Sequence, residues 1–102
     1  MRFMRIVSLQ TLRTYWEANP EVEQQLRAWH DEVISQKWEQ PADIKARYAS
    51  ASILKKRRVV FNIKGNKYRL IVAVAFNVGV VYIKFIGTHK EYDEVDAETV
   101  EM

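Results

Sequence analysis

The sequence predicts an α+β domain in which helices pack on a curved, mainly antiparallel sheet. Two observations support this prediction. The first half of the chain contains a short strand-like segment followed by apolar residues at helical spacing, and the second half contains three strand-like segments separated by tight turns. A chain of 102 residues, 48% of them hydrophobic and 28% charged, is typical of one soluble globular domain with a modest core.

The first predicted elements are a strand and a helix. The segment Phe3–Ser8 is apolar and partly β-branched, as expected for a short strand. Ser8 is suited to cap a following helix. The apolar residues of that helix are spaced three and four apart, at Leu9, Leu12 and Trp16.

Residues 19–38, with the sequence NPEVEQQLRAWHDEVISQKW, give the clearest helical pattern. Asn19 is a good N-cap and Pro20 suits the first helical position. His30 lies beside the apolar stripe and is interpreted as a helix-surface residue rather than a metal ligand. The residues expected to form the buried face are Val22, Leu26, Trp29 and Val33.

The second half is predicted to form a three-stranded meander. Gln40–Ser52 has a proline near its start, which suits the beginning of a helix. This segment is expected to form a short helix or an ordered loop. The strand candidates are Arg58–Lys64, Tyr68–Phe76 and Val80–Gly87, joined by "GN" and "NVG" turns. Because parallel neighbours require long crossovers, strands this closely spaced are antiparallel neighbours.

Charge is distributed unevenly along the chain. Residues 1–43 carry five basic and seven acidic side chains, residues 44–90 carry eleven basic and no acidic ones, and residues 91–102 carry six acidic and no basic ones. A block of this net positive charge favours a polyanionic partner, with RNA or DNA as the first candidate. The alternative is a solvated basic surface that the acidic end balances.

Several classes of protein are disfavoured by the sequence. The absence of cysteine excludes disulfides and thiolate metal sites and fits a cytoplasmic protein. The basic N-terminal region lacks the continuous apolar stretch of a signal peptide, and no apolar run reaches the roughly 20 residues that a membrane helix needs. We therefore expect no membrane association, and the sequence indicates no cofactor.

Arg69 is the first candidate for chemistry. It is expected to point from the middle strand of the meander, away from the face that carries Leu70, where its guanidinium can grip a phosphate. Lys64 and Lys67 flank the neighbouring turn and could add positive charge to a transition state. The run "KKRR" (Lys55–Arg58) is interpreted as a source of electrostatic attraction rather than catalysis, the alternative being a solvated basic loop.

The segment Thr88–Asp93, with the sequence THKEYD, is the second candidate. It follows the last strand and contains His89, whose imidazole can act as a general acid or base, together with Tyr92. Metal-free RNA cleavage needs such proton carriers for the 2′-hydroxyl and the departing 5′-oxygen. The alternative from the residues alone is that His89 caps the strand end and bonds to Asp93. Metal binding is disfavoured because no second histidine lies at ligand spacing.

The stretches RRVVFNIKGNKYRLIV and VVYIKFIGTHKEYDEVDA, which fall within Arg58–Ala97, resemble the HigB group of bacterial type II toxins, themselves similar to RelE-type mRNA interferases. The resemblance implies a RelE-like fold for residues 1–93, followed by an acidic tail over residues 94–102. Two alternatives are open for that tail: it is disordered, or it folds back on the basic block.

The resemblance also implies a ribosome-dependent endoribonuclease that cuts messenger RNA without a metal, and a cognate HigA-type antitoxin with a helix-turn-helix domain. The residues predicted to act in catalysis are Arg69, His89, Tyr92 and Lys64. The residues predicted to bind RNA are Lys55, Lys56, Arg57, Arg58, Asn66, Lys67 and Lys90. Phe76 or Phe85 is a predicted docking point for an antitoxin segment.

Two other functions remain consistent with the residues themselves. The first is a nucleic-acid-binding module without catalysis, which would bind RNA in a salt-dependent way and leave it intact. The second is an interaction protein whose basic face binds an acidic partner.

Overall fold

The structure is a computed structural model that describes residues 2–102. It begins with strand β1 (Arg5–Val7) and helix α1 (Leu9–Ala18). A 3₁₀ turn (Pro20–Val22) leads into helix α2 (Glu23–Ile34), and helix α3 (Pro41–Arg47) follows. Pro41 stands at the start of α3, as its fixed φ favours.

The second half contains the sheet. Its strands are β2 (Ser52–Ile53), β3 (Arg58–Ile63), β4 (Tyr68–Ala75) and β5 (Val80–Thr88), and helix α4 (His89–Asp93) follows at once. The strand order is β1-β5-β4-β3-β2, with β3, β4 and β5 antiparallel and β1 parallel to β5. The predicted α+β class and the antiparallel meander are therefore confirmed.

The helices cover one face of the sheet, which we call the helix face. Alternate strand residues such as Phe61, Leu70 and Val72 point into it and form one apolar core with the helices. The predicted stripe of α2 is confirmed, since Leu26, Trp29 and Val33 are buried there, as is Val22 in the preceding turn.

The opposite face, which we call the strap face, has a smaller apolar cluster. Val60, Ile71 and Phe85 are buried on it, although no long helix covers them. Their cover comes from Tyr92 in α4 and from residues 94–102, which we call the strap; its side chains in the cluster are Val95, Ala97 and Val100. The acidic end of the chain thus packs against the sheet in this structure.

The two residues predicted as helix N-caps stand at that position, but neither side chain makes the capping hydrogen bond. Ser8 precedes α1 but has a φ of +72°, and its side chain accepts no capping hydrogen bond. The Asn19 side chain instead closes the end of α1, where its Nδ2 donates to the carbonyl oxygen of Tyr15 at 3.0 Å. The helical pattern predicted over residues 19–38 is divided, since a 3₁₀ turn precedes α2 and the helix ends at Ile34.

Candidate active site

The ends of two hairpin strands bring the site together. In the β4–β5 ladder Arg69 lies opposite Gly87, and in the β3–β4 ladder it lies opposite Asn62. Past the end of β5, the backbone N–H of His89 donates to the carbonyl oxygen of Lys67 at 2.9 Å. Register therefore places the start of α4 beside the strand segment that carries Arg69.

The Arg69 guanidinium is held in place by its own hairpin. Its Nη2 donates to Oδ1 of Asn66 at 2.6 Å, and its Nη1 donates to the Asn66 carbonyl oxygen at 3.2 Å. Its Cζ lies 5.7 Å from the centroid of the Tyr92 ring, a distance typical of a cation–π contact. Among residues 2–102, no carboxylate pairs with Arg69, so its charge is available for an anion.

A capping box explains why the chain turns into α4. Thr88 Oγ1 accepts a hydrogen bond from the Glu91 backbone N–H at 3.1 Å, and Glu91 Oε1 accepts from the Thr88 backbone N–H at 2.8 Å. Glu91 thus has a structural task at the helix start. The pattern T-x-x-E in "THKE" is the signal from which this helix could have been predicted.

His89 stands beside an acidic partner at the first position of α4. Its Nδ1 lies 3.1 Å from Oδ2 of Asp93, one helical turn later, and both side chains are about half exposed. A carboxylate only accepts hydrogen bonds, so it favours a proton on Nδ1 and leaves Nε2 of the neutral ring as an acceptor. The sequence left open that His89 only caps the strand end and bonds to Asp93, and that bond is present. The same bond also suits an imidazole that acts as a base.

Gly87 makes room for this arrangement. A Cβ at this position would lie 2.7 Å from Cζ of Phe85 and 3.0 Å from Oε1 of Glu91. Any larger residue would therefore push the capping carboxylate or the Phe85 ring away. The sequence interpretation did not single out Gly87, because the requirement arises only once β5 and α4 are packed.

Lys64 is not brought to Arg69. Its Nζ donates to the carbonyl oxygen of Glu21 at 2.8 Å, so its side chain extends toward the start of α2, on the helix side. Arg69 contacts Tyr92 on the strap face. The structure thus places the two cations on different sides of the sheet.

The basic run divides into two groups. Lys55, Lys56 and Arg57 are exposed in the β2–β3 turn, whereas Arg58 is buried and bonded to the strap. The turn lies at the other end of β3 from the residues facing Arg69, which corresponds to roughly 15–20 Å along the strand. A backbone that contacts both regions must therefore extend along the sheet.

The remaining predicted contacts lie near the site. Lys67 and Lys90 are exposed, and Asn66 is exposed with its amide oxygen engaged by Arg69. Phe85, a predicted docking point, is buried under the strap, and Phe76 packs partly buried against the main core. Neither phenylalanine is a free anchor in this structure.

A pair of tyrosines buttresses the site from the helix face. Tyr68 is buried with its ring 6.2 Å from that of Tyr15. Burial, with a smaller contribution from the nearby Glu91 carboxylate, raises the pKa of Tyr15 to about 12. Burial also raises the pKa of Tyr68. Both phenols therefore stay protonated at neutral pH, and their rings pack edge to face.

The described residues hold neither a metal-binding cluster nor a membrane-spanning helix. No group of three or more histidine, aspartate or glutamate side chains within residues 2–102 is arranged to hold a metal ion. In the same part of the chain, every helix is too short or too polar to cross a membrane.

Comparisons with known proteins agree with the fold. The HigB toxin family, described as the RelE-like toxic component of a toxin-antitoxin system, matches residues 22–95. The chain is 29% identical over 92 residues to the mRNA interferase toxin HigB of Escherichia coli K12, and 88% of each chain is covered. The mRNA interferases HigB of Escherichia coli O157:H7 and Shigella flexneri match with the same identity and coverage. The resemblance is therefore confirmed, and the chain belongs to the HigB family of RelE-like toxins of toxin-antitoxin systems.

Proposed function

We propose that this chain is a messenger RNA endoribonuclease that acts in the cytoplasm, on message held in the decoding site of the ribosome. The observation that carries the proposal is the Arg69 guanidinium, which pairs with no carboxylate of residues 2–102. It is fixed by Asn66 and Tyr92 at the strand end where His89 begins α4. The names of the HigB relatives, which are mRNA interferases, support the same reaction.

The proposed reaction is a metal-independent transesterification. A base removes the proton of the 2′-hydroxyl, whose oxygen attacks the adjacent phosphorus, and the bond from phosphorus to the 5′-oxygen breaks. An acid then protonates that leaving oxygen, so the products are a 2′,3′-cyclic phosphate and a 5′-hydroxyl. Arg69 stabilises the charge that develops on the phosphorane, and His89 and Tyr92 are the proton carriers, the assignment of acid and base between them being open.

The exposed cations supply binding rather than chemistry in this proposal. Lys55, Lys56 and Arg57 lie far along the sheet from His89, so they are suited to a phosphate backbone that continues past the cleavage point. Lys67 and Lys90 flank the site and attract the same backbone. Lys64 can join them only by giving up its bond to Glu21.

The test compares single substitutions in translating ribosomes. Arg69→Met and His89→Gln should each slow message cleavage by roughly 10²–10⁴-fold, because each removes a group that acts on the reacting atoms. His30→Gln is the matched control, since His30 also contacts a neighbouring carboxylate but lies on α2. Full growth arrest by both site variants would refute the assignment, provided that circular dichroism shows them folded.

The chemistry of the cut ends tests metal independence. Transesterification leaves a cyclic phosphate and a 5′-hydroxyl, whereas attack by a metal-bound water leaves a 5′-phosphate or a 3′-phosphate without the cyclic product. Mapping the ends with ligases that discriminate these termini therefore decides between the two reactions. Cutting of naked RNA as fast as message on ribosomes would refute the ribosome requirement.

A second candidate is an RNA-binding module without catalysis, which the exposed run Lys55–Arg57 favours. It predicts RNA retention that falls steeply with salt while the RNA stays intact.

The proposed partner is a HigA-type antitoxin with a helix-turn-helix domain, in keeping with a family of toxin-antitoxin components. Co-expression of such an antitoxin should restore growth and block cleavage.

A further inference from the structure

Arg58 differs from its basic neighbours because its guanidinium is buried and hydrogen-bonded within the protein. Within residues 2–102 it is the buried charged residue, with 6% of its surface exposed. Its Nη1 donates to the carbonyl oxygens of Val100 at 2.6 Å and Ala97 at 3.3 Å, and its Nη2 donates to Oε2 of Glu101 at 2.7 Å. All three acceptors belong to the strap, so Arg58 ties the end of the chain to β3.

The strap makes further contacts across the sheet. Glu101 Oε1 also accepts from Nζ of Lys84 at 2.9 Å. Lys84 has no partner on β4, because the ladder shifts there and pairs Ile71 with Phe85 but Val72 with Ile83. The strap is therefore bonded to both β3 and β5 and lies over the apolar cluster between them.

Tyr92 connects the strap to the site. Its ring packs in the cluster that Val95 and Val100 cover, and the Arg69 guanidinium lies over it. The backbone N–H of Val95 donates to the carbonyl oxygen of Tyr92 at 3.2 Å, so the start of the strap is hydrogen-bonded to the backbone of Tyr92 itself. A displacement of the strap would expose the cluster against which Tyr92 packs and would loosen the position of Tyr92 relative to Arg69.

We propose that the strap positions Tyr92 against Arg69 and that Arg58, which anchors the strap, is a positioning residue of the active site. The inference rests on the proposed function, in which Tyr92 and Arg69 act on the scissile linkage. It gives Arg58 a role different from that of Lys55, Lys56 and Arg57, which remain free to contact RNA.

The kinetic test separates positioning from attraction. Arg58→Met should lower the cleavage rate at saturating toxin by roughly 10–100-fold, because small displacements of reacting groups are costly. It should change the toxin concentration for half-maximal rate much less. Arg57→Met removes the same charge from the adjacent residue and should act chiefly by raising that concentration, in a salt-dependent way. Arg58→Lys, which keeps the charge and three donors, should restore part of the rate.

A spectroscopic measurement reports the position of Tyr92 without any RNA. With ¹³C-labelled tyrosine, the ring signals of Tyr92, assigned through Tyr92→Phe, should move in Arg58→Met in the direction seen in Arg69→Met. The Tyr48 signals are the internal control for an intact fold, because that ring packs on Phe61 in the helix-face core. Glu101→Gln leaves the two carbonyl acceptors of Arg58 in place, so it should give a smaller shift of the same sign. This variant serves as the test if Arg58→Met does not fold.

The outcomes distinguish this inference from the proposed function. Unmoved Tyr92 signals in a folded Arg58→Met or Glu101→Gln protein would overturn the positioning role, whatever happens to the rate. The positioning role would also be overturned if Arg58→Met, like Arg57→Met, raised the toxin concentration for half-maximal rate and left the rate at saturating toxin unchanged. If the wild-type chain cuts no message, the proposed function fails, and the tyrosine signals still decide whether Arg58 and the strap hold Tyr92.

Discussion

The two faces of the sheet are stabilised in different ways. On the helix face, Phe61 packs against the rings of Trp29, Trp38 and Tyr48 at centroid distances of 5.1–6.5 Å, within a core that α1, α2 and α3 cover. On the strap face the buried apolar cluster comprises three strand side chains, and hydrogen bonds to Arg58 and Lys84 hold its cover in place. Apolar packing stabilises one face, and ionic and capping contacts hold the other.

This difference separates the residues that stabilise the fold from those of the proposed active site. The Arg69–Tyr92 contact lies on the strap face, which has no large core. Helix α4, which begins at His89, contributes Tyr92 to the strap-face cluster. Side chains on this face can reach a substrate. Substitutions on the helix face should therefore abolish activity only by unfolding the chain. Substitutions on the strap face should reduce activity while the chain stays folded.

The largest expected effect is on the helix face. Phe61→Ala should lower the free energy of unfolding by about 3–5 kcal/mol, because the ring is 1% exposed and its loss leaves a cavity among aromatic neighbours. Urea unfolding at pH 7 measures this loss, and toxicity should fall in step with the folded fraction. A loss below about 1 kcal/mol would show that the helix face does not dominate stability.

The preceding residue on the same strand tests the other face. Val60→Ala should cost only about 1–2 kcal/mol, since it removes two buried methyl groups from the smaller cluster. Its effect on activity should exceed its effect on stability, because Val60 supports the strap beside Tyr92. The measurement is the cleavage rate at a temperature where urea curves show the variant fully folded. An unchanged rate would contradict the division between the faces.

A smaller change in stability is expected at the exposed end of the site. Asp93→Asn removes a charge about 3 Å from His89, and surface pairs of this kind contribute roughly 0–1 kcal/mol. Cleavage should nevertheless fall, because the amide no longer favours a proton on Nδ1. Thermal unfolding and the cleavage rate, measured on the same preparation, should therefore diverge. The control is Asp31→Asn, which disrupts the equivalent contact of His30 on α2.

Local sequence signals predicted most of the fold. The alternation of "YRLIVAVAF" correctly placed Leu70 and Arg69 on opposite faces, and the apolar stripe of α2 was correct because burial and helical period agree. The strand β2 was missed because two paired residues, Ser52 and Ile53, are too few to show alternation. Helix α4 was missed although its capping box is visible in the sequence.

The candidate site was harder to predict, because charge does not reveal which partner a side chain finds. Arg58 and Arg57 are adjacent and chemically identical, yet one is buried under the strap and the other is exposed. That difference depends on where residues 97–101 pack against β3, through contacts that span 39 or more positions. Lys64 was likewise placed beside Arg69 by turn spacing, whereas a backbone carbonyl of the preceding helical region binds it.

The smallest expected effect is a pH dependence of the strap face. The hydrogen bond from Lys84, and then that from Arg58, lowers the pKa of Glu101 below its ordinary value of 4.5. A carboxyl group whose pKa is lower in the folded than in the unfolded chain stabilises the fold above the unfolded pKa, and this contribution is lost as pH falls through the folded value. Glu101→Gln should therefore be less stable than wild type at pH 7, and the difference should vanish as the pH falls well below 4.5. Glu98→Gln is the control, because Glu98 lies in the same strap but forms no ion pair within residues 2–102. A pH-independent difference in urea unfolding would mean that the Glu101 carboxylate does not hold the strap, and that the apolar contacts of Val95, Ala97 and Val100 suffice.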